Sequence, residues 1–310
     1  MKKCWKSLDK VWTPCLIVQE KNDPTVLYDS GVLAFDKIAS SDKRFESTEF
    51  NVHATVYMEQ SRDAIFEMVD DFINNILESS FMSIAHRGAS GRANENTLRA
   101  FSSAINMGCD MIELDVRMVD ETLMVFHDRD LARIFGIKKD ISECSPDDLK
   151  NLVMQGGDKI PTLEEALDCI GGQTKVNIEL KSKETGIAVV NLLERYVKTP
   201  LWEYSDFLIT SFGHNELERI RIVTDKIPIG LVFDDRNRDL ISLGQSLALA
   251  KHLKVWSISV SNEVVTEELI LLAHHEGMKV LVYTVNDPDE ICFLKSLGVD
   301  GVFSDYPDRA

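Results

Sequence analysis

An α/β architecture, a (β/α)8 TIM barrel with a hairpin and a small insertion after its second strand, is the fold class predicted for residues 81–310. Three observations carry it. From residue 82 onward, eight apolar runs of strand length alternate with segments of helical periodicity. Most of these runs are nearly continuous in apolar residues, the pattern of strands buried on both faces beneath covering helices. The stretch is also close to the roughly 250 residues that such a barrel takes. A doubly wound open sheet competes, but no Gly-rich phosphate fingerprint of the required form follows the first run.

In order, the strand segments are Met82–His86, Met111–Val116, Lys175–Leu180, Phe207–Phe212, Ile227–Phe233, Val255–Val260, Lys279–Val285 and Gly301–Ser304. Helical patterns lie between them at Thr97–Met107, Thr162–Ile170, Ile187–Val197, Glu216–Val223, Leu240–Leu253, Thr266–Glu276 and Pro288–Leu297. Pro161, Pro228 and Pro288 stand at element starts, where a missing N–H is tolerated. Leu123–His127 reads as an additional strand a few residues beyond the second, around Asp120-Glu121-Thr122. A parallel crossover needs a dozen or more residues, so this segment must return as a hairpin and bring His127 back to the rim. After the last strand only Asp305–Ala310 follow, and no eighth outer helix is expected. Residues 1–80 are read as a separate small α+β extension of no assigned role, with strand-like alternation at Thr25–Phe35 and Asn51–Met58. Within it, Ser61–Ser80 carries Ile65, Val69, Phe72, Ile73 and Ile76 on one helical stripe.

Composition bounds the function. The 310 residues are 44% hydrophobic and 27% charged, the balance of an ordinary globular chain, and no apolar run reaches membrane-spanning length. A net charge of −17 repels nucleic acid phosphates and anionic lipid heads, so neither nucleic acid nor an integral membrane segment is expected. The six cysteines, at 4, 15, 109, 144, 169 and 292, form no C-x-x-C pair, and no signal-length apolar stretch follows the basic start; both point to the cytoplasm.

The chemistry is sought where barrels place it, at the C-terminal ends of strands. Glu113 and Asp115 lie two apart on one strand and share a face, and Glu179 repeats the anomaly one strand over. Inward carboxylates are costly unless compensated. Three of them suit a hard divalent cation, Mg²⁺, Ca²⁺ or Mn²⁺; the alternative is ion pairing with Arg87, Lys181 or Arg117. His86 and His127, at the same rim, suit an acid–base pair. Arg87 and Lys181 offer positive charge to a phosphate. Cation, Arg, Lys and two His together suit phosphodiester cleavage. Asn96 is expected to cap the first barrel helix, with Glu95 beside it placed to touch metal or substrate. Asp128 is expected to cap the turn that follows His127, rather than to orient that ring.

These residues resemble a known family. His86-Arg87-Gly88-Ala89-Ser90-Gly91, Glu95-Asn96-Thr97, Ile112-Glu113-Leu114-Asp115-Val116, Phe126-His127-Asp128, Ile160-Pro161-Thr162-Leu163-Glu164-Glu165, Ile178-Glu179-Leu180-Lys181, Tyr283-Thr284-Val285-Asn286 and the closing stretch Gly298–Asp305 are similar, in order and spacing, to the glycerophosphodiester phosphodiesterases. The resemblance runs from Ser83 to about Pro307. It implies hydrolysis of glycerophosphodiesters to glycerol 3-phosphate and an alcohol with one bound divalent cation. By motif, Glu113, Asp115 and Glu179 look like metal ligands, His86 and His127 like the acid–base pair, and Arg87 and Lys181 like phosphate contacts. The family often has Trp where Tyr283 stands, so Tyr283 is an aromatic wall whose hydroxyl bears on head-group preference. Arg129–Lys159 resembles the family's small insertion at the substrate entrance. Two other readings use the same barrel: release of head groups from lysophospholipids or sphingolipids, or a non-catalytic scaffold whose residues 1–80 bind a partner.

Overall fold

The computed structural model describes residues 15–23, 26–38, 43–49, 63–69, 72, 81–233 and 240–310. The chain divides into two compact units, Met1–Ser80 and Phe81–Ala310. In the first, strands β1 (Cys15–Glu20) and β2 (Lys43–Thr48) pair in parallel, with Cys15 opposite Lys43. Tyr28–Lys37 between them is a helix, which corrects the strand expected at Thr25–Phe35. The reason is spacing. Tyr28 and Phe35, seven apart and on one helical face, both set their rings edge-on to Phe45 of β2, at 5.7 and 5.9 Å. A flat strand would split such a pair between two faces. Residues 63–69 are helical, within the predicted amphipathic segment, while Asn51–Met58 lies outside the described residues.

The second unit is a closed parallel barrel. Its strands are β3 (Met82–Ala85), β4 (Met111–Val119), β6 (Lys175–Leu180), β7 (Phe207–Ser211), β8 (Ile229–Val232), β9 (Ser257–Ser261), β10 (Lys279–Tyr283) and β11 (Gly301–Ser304). They run in the spatial order β3-β11-β10-β9-β8-β7-β6-β4, and β3–β4 pairing closes the ring. Four of the barrel helices start on side-chain caps: Thr97, Thr162, Thr266 and Asp287 each accept a backbone N–H of the first turn. Their apolar faces and the outward faces of the strands share one large core that includes Phe101, Leu114, Ile178, Leu193, Ile220 and Val260.

Strand β5 (Thr122–Val125) pairs antiparallel with β4, Val119 opposite Thr122. The two residues between, Asp120 and Glu121, both have positive φ, 42° and 64°, as a tight primed hairpin turn requires. Beyond β5, the insertion folds into short helical pieces at Ala132–Phe135, Ile141–Glu143 and Pro146–Asn151. They close over a small core of their own around Leu131, Ile141, Leu149 and Ile160. After β11 comes only the 3₁₀ turn Pro307–Arg309, whose Pro307 carbonyl accepts the Ser83 hydroxyl at 2.7 Å. No helix among the described residues is long and apolar enough to cross a membrane.

Candidate active site

A cavity of about 200 Å³ opens at the C-terminal ends of the strands. Its wall includes His86, Arg87, Glu113, His127, Glu179, Lys181 and Tyr283 from the predicted set, joined by Asn177, Thr210, Phe212, Ser259 and Phe303.

The acidic cluster follows from register. Glu113 and Asp115 sit two apart on β4, and β6 places Glu179 directly opposite Asp115. Ligand oxygens of all three lie within 4.8 Å of one another. Asp115 is well compensated. Lys181 Nζ stands 3.2 Å and Arg87 Nε 3.3 Å from its oxygens, and the Asn96 amide donates to it at 2.7 Å. Burial alone would raise its pKa, but Lys181 and Arg87 outweigh that and hold the carboxyl below its ordinary value. Glu179 takes a hydrogen bond from Lys181, yet burial keeps its pKa raised. Glu113 is the exception. One oxygen accepts the Arg87 backbone N–H at 2.8 Å; the other, Oε1, is buried and has no hydrogen-bond partner. Burial, with Asp115 and then Glu179 adding to it, pushes this carboxyl well above the usual range. An orphaned carboxylate oxygen amid two more oxygen donors is the environment a hard cation satisfies, so the three residues fit one. Arg117, the third cation considered for pairing, does not serve them. Its guanidinium donates to the main-chain carbonyls of His127, at 3.0 and 2.8 Å, and of Lys181, at 3.0 Å.

The turn that carries Arg87 is demanding. Arg87 has φ 57° and Gly88 φ 77°. A Cβ on Gly88 would meet the Ala100 backbone at 2.7 Å, so only glycine fits there. Asn96 also has a left-handed φ of 57°, and its side chain both donates to the Asp115 carboxylate and accepts the Asp115 N–H. This corrects the expected cap: Thr97 caps the helix, and Asn96 buttresses β4.

Each imidazole is anchored through Nδ1, which leaves Nε2 as the nitrogen available to a ligand. His86 Nδ1 lies 2.7 Å from Asp305 Oδ1. Asp305 in turn accepts from Ser90 Oγ at 2.8 Å and Asn286 Nδ2 at 2.7 Å. Against burial, these bonds, His86's first, hold Asp305 at about 2. His127 Nδ1 lies 2.7 Å from Asp128 Oδ1, so Asp128 orients the ring instead of capping a turn. Arg133 grips Asp128 through Nε at 2.6 Å and Nη2 at 3.1 Å. Burial opposes, but Arg133 and His127 bring Asp128 to about 2. Burial also lowers the His127 pKa, which favours the neutral ring.

Glu95 does not line the cavity. Its carboxylate accepts Arg87 Nη1 at 2.8 Å and both terminal nitrogens of Arg133 at 2.7 Å. It holds Arg87 and Arg133 together. Tyr283 stands in the wall as expected, with its hydroxyl donating to the Phe233 carbonyl and its ring edge-on to Phe212 at 6.2 Å. Sequence reasoning missed Phe212, Asn177, Asp305 and Arg133 as neighbours of the site. Only Asp305 lay within a quoted motif, and its role did not follow from that.

Comparison with known proteins agrees with this geometry. Residues 86–309 match the model of the glycerophosphoryl diester phosphodiesterase family. The chain belongs to that family. A glycerophosphodiester phosphodiesterase of Bacillus altitudinis is 30% identical over 239 residues, covering 73% of this chain and 95% of the relative. A human lysophospholipase D is 27% identical, covering 73% and 83%. Among solved structures, a phosphodiesterase of Oleispira antarctica in complex with the product sn-glycerol-3-phosphate superposes with a TM-score of 0.64 at 26% identity, covering 73% of this chain and 93% of that one. As a glycerophosphodiester phosphodiesterase the chain is a phosphoric diester hydrolase, and the matched stretch falls inside the barrel unit.

Proposed function

We propose that this glycerophosphodiesterase works with one divalent cation, Mg²⁺, Ca²⁺ or Mn²⁺, held by Glu113, Asp115 and Glu179, and with His86 and His127 as its acid–base pair. Its products would be glycerol 3-phosphate and an alcohol. The observation that carries the reading is the orphaned Glu113 Oε1, set among three carboxylates in a cavity bordered by both imidazoles. The cation, when bound, supplies Lewis-acid stabilisation to the phosphoryl oxygens.

The chain's own groups do the rest. Arg87 and Lys181 present positive charge to the phosphate from two sides, and Glu95 keeps the Arg87 fork in place. One imidazole takes a proton from the attacking oxygen at Nε2 while the other delivers one to the leaving alcohol oxygen. Asp305 and Asp128, each on an Nδ1, fix tautomer and ring orientation. Tyr283 and Phe212 form the aromatic wall against which the substrate packs. The cytoplasm suits the five described cysteines, all free.

The test is a panel of glycerophosphocholine, glycerophosphoethanolamine, glycerophosphoinositol and lysophospholipids, each assayed with Mg²⁺, Ca²⁺ and Mn²⁺ and with EDTA. Metal-dependent release of glycerol 3-phosphate from the water-soluble diesters supports the reading. Turnover confined to the lysophospholipids moves the assignment to the lysophospholipase D reaction, and full activity in EDTA removes the cation.

A further inference from the structure

One flank of the barrel lumen departs from ordinary barrel packing. With a stagger of about one residue per strand, the register places Glu113, Thr210, Ser259 and Phe303, from alternate strands β4, β7, β9 and β11, in one layer. Ile84, Asn177, Gly230 and Leu281 form the layer beneath it, and Ser257 lies one layer lower still. Barrels fill such layers with bulky branched residues. In the upper two of these layers β7, β8 and β9 contribute only Thr210, Gly230 and Ser259, and Leu208 joins Ser257 below. Glycine is required at 230, since a Cβ there would come within 2.5 Å of Ser257 Oγ and 3.0 Å of Thr210 Cγ2.

Two of these hydroxyls have nothing to bond. Thr210 Oγ1 donates to Asn177 Oδ1 at 2.8 Å, but Ser257 Oγ and Ser259 Oγ are buried without a partner. Ser259 is 1% exposed and lines the cavity that the carboxylates and imidazoles border. A buried, unpaired hydroxyl destabilises the fold, a cost that alanine at the same place would not incur. Its register puts it across the lumen from Glu113, the residue with the other unpartnered cavity oxygen.

We infer that Ser259 is a specificity-determining residue that hydrogen-bonds a hydroxyl of the polyol half of the substrate, so the closed end of the cavity selects diesters of a small polyol. The assignment rests on the phosphodiesterase reading of the site. The polyol half, not the departing alcohol, takes this position because the lumen below the carboxylates is closed, whereas a variable leaving group needs the open mouth. The cavity of about 200 Å³ leaves room there for a three-carbon polyol.

The experiment compares wild type with Ser259→Ala on glycerophosphocholine and on bis(4-nitrophenyl) phosphate, which has no aliphatic hydroxyl, in the full chain with divalent cation present. The ratio of kcat/KM for the first substrate over the second is expected to fall about tenfold, the size of one lost neutral hydrogen bond. The thermal midpoint in the absence of substrate should hold or rise, because the variant removes an unpaired group. An unchanged ratio, or a fall with both substrates losing equally, overturns the inference while leaving the phosphodiesterase activity standing. A wild-type enzyme that cleaves bis(4-nitrophenyl) phosphate but no glycerophosphodiester overturns the activity on which the inference rests, and the inference with it.

Discussion

Replacing Glu113 with Gln separates what this carboxylate does for the fold from what it does for the site. Its Oε2 accepts the Arg87 backbone N–H, while buried Oε1 has no partner and stands beside Asp115 and Glu179. Glutamine keeps an acceptor for Arg87 and turns an NH₂ toward the two remaining carboxylates. Without cation, the variant therefore sheds an uncompensated buried charge, an effect of about 1–3 kcal/mol. At about 2–4 °C per kcal/mol for a barrel of this size, the midpoint in EDTA should rise by roughly 2–12 °C. The pH dependence has a definite sign. Burial raises the folded-state pKa of Glu113 above its unfolded value, so ionisation costs stability as pH climbs above about 4.3. The variant's advantage should vanish below that pH and grow above it. With cation at about one hundred times its Kd, wild type gains about 2.7 kcal/mol, or roughly 5–11 °C, and the variant less than half of that. Scanning calorimetry in EDTA, then in Mg²⁺, Ca²⁺ and Mn²⁺, measures both shifts. A variant that melts below wild type in EDTA, or keeps the full cation-induced shift, refutes the reasoning.

Other perturbations address the imidazoles and their supports. Alanine at His86 or at His127 should lower kcat about 10²–10⁴-fold with the midpoint nearly unchanged; steady-state kinetics on glycerophosphocholine would falsify the pair if either variant kept wild-type turnover. Arg133→Ala releases Asp128 and Glu95 together, so kcat should fall about tenfold, with Lys at 133 restoring part of it because a point charge replaces a fork. The 47% exposure of Arg133 limits the accompanying stability loss to below about 1 kcal/mol, and an Ala variant with undiminished kcat removes this role. Asp305, held at about 2 in the fold, contributes stability that is complete above the unfolded value near 3.9 and is lost as pH falls from there toward 2. That contribution is about 2 kcal/mol, so the gap between the urea midpoints of wild type and Asp305→Asn should be full at pH 6 and narrow to about half by pH 3, closing only below about pH 2; a constant gap contradicts the linkage.

Short-range order was readable because its causes are local. Period-two alternation puts Glu113 and Asp115 on one face of β4 whatever the rest of the chain does, and two residues between apolar runs leave β4 and β5 no connection but a hairpin. The strand ends, and hence the metal-ligand candidates, both histidines, Arg87 and Lys181, followed from that alternation. Where local signals were ambiguous, packing decided. Tyr28–Phe35 alternates well enough for a strand, but rings seven residues apart that meet one phenylalanine make it a helix. Asn96 has a cap's chemistry, yet its amide goes to Asp115 and the cap falls one residue later.

What the linear chain determined by itself was therefore the alternation of elements and the chemical types gathered at their ends. Only the closed barrel decided the partnerships. Asp305 reaches His86 across 219 residues because β11 pairs with β3, a contact that exists once the ring shuts and that no local propensity encodes. The insertion likewise delivers Arg133 to Glu95 and Asp128, which turns three charged side chains, each ordinary in sequence, into the brace behind Arg87 and one imidazole. Hydrogen bonds and ion pairs depend on distances of about 3 Å, and distances between remote segments are set by closure and packing rather than by periodicity.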